Sequence, residues 1–116
     1  MYTGSLWLDF ESEDEEAHYV ANVSRCIIRD NELILEFSGS DEGHHFIGNC
    51  TLSKSGAGYS GKGSFEYAGN SEVSSSVAVS IEESGSEILL HGTWRDEGET
   101  VPYELEAELS KSKRGR

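Results

Sequence analysis

Basic residues are scarce in this chain: 9 lysines and arginines stand against 22 aspartates and glutamates, a formal net charge of -13 over 116 residues. Such a surface repels phosphate backbones and anionic lipid, so neither a nucleic acid nor a membrane is an expected partner. The same charge keeps the protein in solution and favours a basic partner. Cysteine is limited to Cys26 and Cys50, whose spacing matches no zinc motif. In a reducing compartment the default is two free thiols packed as small hydrophobes. Proline occurs once, at Pro102, so turns must be built from other residues. No apolar stretch approaches the roughly 20 residues needed to span a bilayer. The opening residues Met1 to Trp7 carry no basic segment followed by an apolar run. No secretory leader is therefore expected, and the expected location is the cytoplasm.

The chain does contain alternation with a period of two. From Tyr59 to Tyr67 one parity reads Tyr59, Gly61, Gly63, Phe65, Tyr67, and the other is polar. Val77, Val79 and Ile81 alternate with small polar residues, and Val101, Tyr103, Leu105, Ala107 and Leu109 alternate with Glu104, Glu106 and Glu108. Leu6 and Leu8, Leu33 to Phe37, Phe46 to Leu52, and Ile88 to Trp94 repeat the pattern. Successive side chains of a strand point to opposite faces, so these segments are strands with one buried face; a helix needs apolar spacing of three to four. Ala17 to Arg29 has apolar residues on both parities and is expected to be a strand with a bulge. Glu11 to Glu16 forms the first connection, and the clusters around Asp30, Gly43, Gly56, Gly69, Gly85 and Gly98 form the others.

The expected fold is all-β: a single antiparallel meander of about eight strands, closed as a barrel or folded as a barrel-like sandwich. Residues 1–110 make one barrel-like domain. Residues 111–116, Lys-Ser-Lys-Arg-Gly-Arg, carry no pattern and are expected to form a basic, disordered tail. The expected core includes Leu6, Leu8, Leu35, Phe46, Phe65, Val77, Val79, Ile81, Leu90, Tyr103 and Leu105.

Chemical motifs are weak. The candidate metal nitrogens are His18, His44, His45 and His91, and the adjacent His44 and His45 point to opposite faces of a strand. Glu11 to Glu16 lacks the spacing and turn glycine of a calcium loop, and reads as a solvated acidic connection. Glu104, Glu106 and Glu108 read as an outward row guarding a strand. There is no nucleophile elbow, and Gly56-Ala57-Gly58-Tyr59-Ser60-Gly61 has no following helix to make a phosphate loop. No catalytic residue, metal site or cofactor is assigned, and the balance is against an enzyme. Aromatic-x-glycine pairs recur at Tyr2, Phe46, Tyr59 and Tyr67, but no fixed period joins them, which excludes a repeat array.

Gly92-Thr93-Trp94 within such a meander resembles the glycine-x-tryptophan signature of the calycin group, the lipocalin and avidin type of β-barrel. The resemblance implies an up-and-down barrel; in those families small molecules bind in the barrel mouth. Independently, Gly48, Gly61, Gly63 and Gly92 fall on the inward parity and remove interior volume. The expected result is an interior cavity bounded by Tyr59, Phe65, Tyr67 and Trp94; the competing outcome is that neighbouring aromatics fill the volume. The first outcome, and with it the leading functional expectation, is a carrier-like barrel for a small apolar or aromatic ligand. The second favours an acidic protein-interaction module, an inhibitor or immunity-type partner of a basic protein.

Overall fold

The computed structural model describes residues 1–111. Alternation becomes eight strands: β1 (Tyr2–Glu11), β2 (Glu16–Arg29), β3 (Glu32–Asp41), β4 (His44–Ser55), β5 (Gly58–Tyr67), β6 (Val73–Ser84), β7 (Glu87–Asp96) and β8 (Tyr103–Lys111). Each pairs antiparallel with its sequence neighbours, and β1 pairs with β8, running from Tyr2 opposite Lys111 to Asp9 opposite Glu104. The meander is thus a closed barrel. An even number of strands joined by short turns brings first and last together antiparallel, which leaves no unpaired edge. The last strand reaches Lys111, one residue past the expected domain boundary; the rest of the expected tail lies outside the described residues.

The irregularity expected in β2 is a bulge. Val23 lies opposite Phe37 and Arg25 opposite Glu36, so Ser24 is the extra residue. The insertion switches the inward parity from Ala21 and Val23 to Cys26, which is why both parities of this segment carry apolar side chains. At the β3–β4 turn, Glu42 (φ 52°) and Gly43 (φ 83°) both take the left-handed conformation that matches hairpin twist. Pro102 immediately precedes β8, where its missing N–H costs no ladder bond.

The core is the barrel interior. Leu6, Leu8, Leu33, Leu35, Phe46, Leu52, Val77, Val79, Ile88, Leu90, Trp94 and Leu105 are buried, as are Cys26 and Cys50, which are free thiols. Three residues expected in the core, Phe65, Ile81 and Tyr103, are only half-buried and pack against it. Each points inward near a barrel end, where the wall no longer covers it on all sides.

The inward glycines do not leave a cavity. The Phe37 ring occupies the place a Cβ at Gly48 would take, and at Gly63 such an atom would meet the tip of the Trp94 indole at 2.9 Å. Backbone of the adjacent strand closes on the other two: at Gly61 the Thr51 carbonyl lies 2.6 Å from a Cβ position, and at Gly92 the Ala78 carbonyl takes it. Gly39, on the same inward parity, is covered by Phe46. Rings and backbone fill the volume that glycine vacates, as close packing demands.

Candidate functional site

The loops after β1, β3, β5 and β7 gather at one end of the barrel. With their flanking strand residues they hold Glu11, Glu13, Asp14, Glu15, Glu16, Asp41, Glu42, Glu72, Asp96, Glu97 and Glu99, half of the chain's 22 carboxylates; Arg95 of β7 also reaches this end, donating to the Glu99 carbonyl at 3.2 Å. Turn chemistry places some of them directly. Ser12 N–H donates to the Glu15 carbonyl at 2.8 Å, and the Ser12 hydroxyl accepts the Glu15 N–H at 3.2 Å, which turns the chain within one acidic loop. Among the described residues, ion pairs form only at His18 with Asp9 and Glu16, and at Arg25 with Glu36. Apart from Glu16, the loop-end carboxylates face no cationic side chain within ion-pair distance among the described residues.

Inside this acidic rim lies an aromatic band. Tyr19 is its centre, with ring centroids at 5.3 Å from Phe46, 5.9 Å from Phe65, 6.2 Å from Tyr67 and 6.0 Å from Tyr103. Phe10 packs on Tyr103 at 5.2 Å, and His44 lies 5.9 Å from Tyr67. The Tyr67 hydroxyl donates to the Asp41 carboxylate at 3.2 Å. Below the band, buried Trp94 donates its indole N–H to Asp96 Oδ1 at 3.2 Å, and buried Ser75 donates its hydroxyl to the same oxygen at 2.8 Å. Two donors from separate strands hold this carboxylate in one orientation. Burial raises the Tyr103 phenol well above its ordinary value, with the Tyr19 phenol and the Asp96 carboxylate acting next. Tyr19 is raised first by burial, then by the Asp41 charge, with Asp96 and Glu15 contributing in the same direction. Carboxylates at the ends of three loops therefore act on the Tyr19 ring, and two of them, Asp96 and Glu15, also act on Tyr103.

Two spaces open here. One is an interior void of about 10 Å³ between Leu8, Tyr19, Phe65, Trp94, Asp96 and Tyr103, about the space of one water. The other is a cleft of about 200 Å³ opening outward, lined by Phe10, Glu15, Ala17, Tyr19, Asp96, Glu99, Val101 and Tyr103.

Of the four residues expected to bound a cavity, Phe65, Tyr67 and Trp94 lie at or under this mouth. Tyr59 lies at the other end of β5, beside the β4–β5 turn, with the Lys54 ammonium 5.7 Å from its ring centroid. Eight residues of strand, roughly 26 Å, separate Tyr59 from Tyr67, so the four do not enclose one space. The sequence pattern offers none of Phe10, Tyr19, Tyr103, Glu15, Asp96 and Glu99 as a binding residue; Tyr103 reads there as core and Glu15 as part of a solvated acidic connection. They lie in segments far apart in the chain, and only barrel closure joins β1 and β2 to β8.

The remaining candidates disperse. His44 and His45 are both exposed, and among the described residues no three histidine, cysteine, aspartate or glutamate side chains converge to hold a metal ion. Glu104, Glu106 and Glu108 point outward along β8, opposite Asp9, Trp7 and Ser5 of β1. Among the described residues no helix is long and apolar enough to cross a membrane.

No protein-family model matches the chain. No curated protein matches it either. Among solved structures it is similar to a redesigned beta barrel at 16% sequence identity, with a TM-score of 0.49, over 95% of this chain and 90% of that one.

Proposed function

We propose that this barrel is a binding module that recognises a positively charged protein partner at its loop end. The observation that carries this reading is the segregation of charge: half of the carboxylates crowd one end around half-buried aromatic rings, and they far outnumber the Arg95 guanidinium that reaches them. Aromatic residues amid unpaired carboxylates form a surface complementary to lysine and arginine side chains, because the ring face and the carboxylate both attract a cation. Charges of one sign gathered within about one Debye length, roughly 10 Å at 0.1 M salt, also repel each other, and a cationic partner relieves that repulsion. A titration with an oligoarginine peptide, followed by backbone amide NMR, tests the reading. Shifts should concentrate on residues flanking the four loops and weaken steeply with salt. Shifts spread over the barrel wall, or none at low salt, would remove it.

A second reading has a narrower basis. A calycin-like carrier would hold a small apolar or aromatic ligand against Phe65, Tyr67 and Trp94, beneath a mouth closed by Tyr19. The closed barrel and its aromatic mouth favour it, but the void of about 10 Å³ accommodates no such ligand unless the rings move. Thermal melting against a panel of apolar and aromatic compounds decides it. A ligand that binds only the folded state raises the melting temperature, and a uniformly flat panel ends the carrier reading.

A further inference from the structure

We propose that the outward-opening cleft beside Tyr103 is a receptor for a single guanidinium group, the end of an arginine side chain presented by the partner. The inference rests on the proposed binding of a cationic partner and assigns where and how one of its residues is read.

The cleft of about 200 Å³ carries three aromatic rings, Phe10, Tyr19 and Tyr103, and three carboxylates, Glu15, Asp96 and Glu99. The rings form one continuous wall, with Phe10 and Tyr19 each packed on Tyr103 at 5.2 and 6.0 Å. Asp96 is the anchor. Its Oδ1 is already bonded to Trp94 and Ser75, so its rotamer is set before any ligand arrives. Among the described residues its Oδ2 has no hydrogen-bond donor. Glu15 and Glu99 are exposed at the rim, on two different loops.

This combination selects the ligand by elimination. An anion meets three carboxylates and no cation in the lining. A neutral aromatic would cover the carboxylates without offering them donors, which costs their hydration. An ammonium ion is strongly hydrated and must give up water against an aromatic wall. A guanidinium is weakly hydrated on its faces, stacks on rings and directs its N–H fork outward in one plane, where carboxylates accept. Among the described residues, Arg95 donates to the carbonyl of the rim residue Glu99 at 3.2 Å but does not itself line the cleft. Burial is the main cause of the raised Tyr19 and Tyr103 phenols, and the Asp96 and Glu15 charges add to it.

The test compares three blocked amino acids, acetylated and methylamidated arginine, lysine and citrulline, by NMR titration of the intact barrel. Citrulline keeps the shape of arginine and removes its charge. Arginine should give saturable shifts at Phe10, Tyr19, Asp96 and Tyr103, with affinity about tenfold above citrulline and also above lysine. Asp96→Asn keeps an oxygen for Trp94 and Ser75 and should lower arginine affinity about tenfold. The double variant Glu15→Gln/Glu99→Gln changes only exposed side chains and should lower it severalfold even if Asp96→Asn fails to fold. Equal binding of arginine and citrulline, or full affinity in the double variant, would overturn the proposal. If blocked arginine does not bind while oligoarginine still perturbs the loop end, the guanidinium receptor falls and the binding module stands. If neither binds, both fall.

Discussion

Replacing Gly48 by alanine should be costly only while Phe37 is present. The two residues face each other across β3 and β4, and a Cβ on Gly48 would fall within the Phe37 ring. That ring cannot retreat freely, since its edge meets Trp94 at a centroid distance of 5.5 Å and an interplanar angle of 74°. Overpacking a closed core costs about 1–3 kcal/mol, and the rigidity of both aromatic neighbours places Gly48→Ala toward the upper part of that range. Phe37→Ala should cost about 3–5 kcal/mol, a large share of the roughly 5–15 kcal/mol available to a domain of this size, so Phe37→Leu is the better background. In that background the added methyl enters freed space, and Gly48→Ala should cost at least about 1 kcal/mol less than in the original protein. Urea unfolding of the four proteins, followed by tryptophan fluorescence and fitted with a common slope, measures the coupling. Additive effects, or a neutral Gly48→Ala, would show that Phe37 does not fill the volume Gly48 gives up. That volume would then be open to an interior ligand.

Leu105→Ala should destabilise the barrel by about 2–5 kcal/mol, and the outward-facing Glu106→Gln by less than about 0.5 kcal/mol; equal costs by urea unfolding would place the register of β8 in error. Burial pushes the Cys26 and Cys50 thiols up to about 11 and about 12, so in native protein at mildly alkaline pH both should resist alkylation and both should react once the chain is unfolded; rapid native labelling of either contradicts the packed interior. The His18 imidazole is raised above its ordinary value of 6.5 chiefly by its hydrogen bond to Asp9, 2.8 Å away, with Glu16 adding to the effect. Its contribution to stability is therefore present below pH 6.5 and lost as pH rises through the folded-state value; NMR titration should show a raised midpoint that falls in Asp9→Asn, and a midpoint at or below 6.5 would count against the pairing.

The period-two pattern was sufficient for the strands themselves. Where one parity is apolar and the other polar, burial selects a single face, and Leu105, Ala107 and Leu109 are buried while Glu104, Glu106 and Glu108 are exposed. Turn residues set the number of strands in the same local way, and the mixed parity of Ala17 to Arg29 marked the bulge at Ser24. Local pattern determines these features because a strand's two faces and a hairpin's turn depend on neighbouring residues. Closure of the barrel, the filling of the glycine positions and the composition of the mouth depend on residues far apart in the chain. Sequence alone identified Gly48, Gly61, Gly63 and Gly92 as missing volume, but the Phe37 ring, the Trp94 indole and the adjacent backbone fill it from other strands. Tyr59 and Tyr67 share a parity and therefore an inward direction, yet a strand of this length carries them to opposite ends of the barrel. The joining of β1 to β8 sets Phe10 and Tyr19 against Tyr103, and the β7–β8 loop brings Asp96 and Glu99 beside the Glu15 loop. Charge segregation at that end arises because a meander sends every second connection to the same side, a consequence of the topology that no single segment contains.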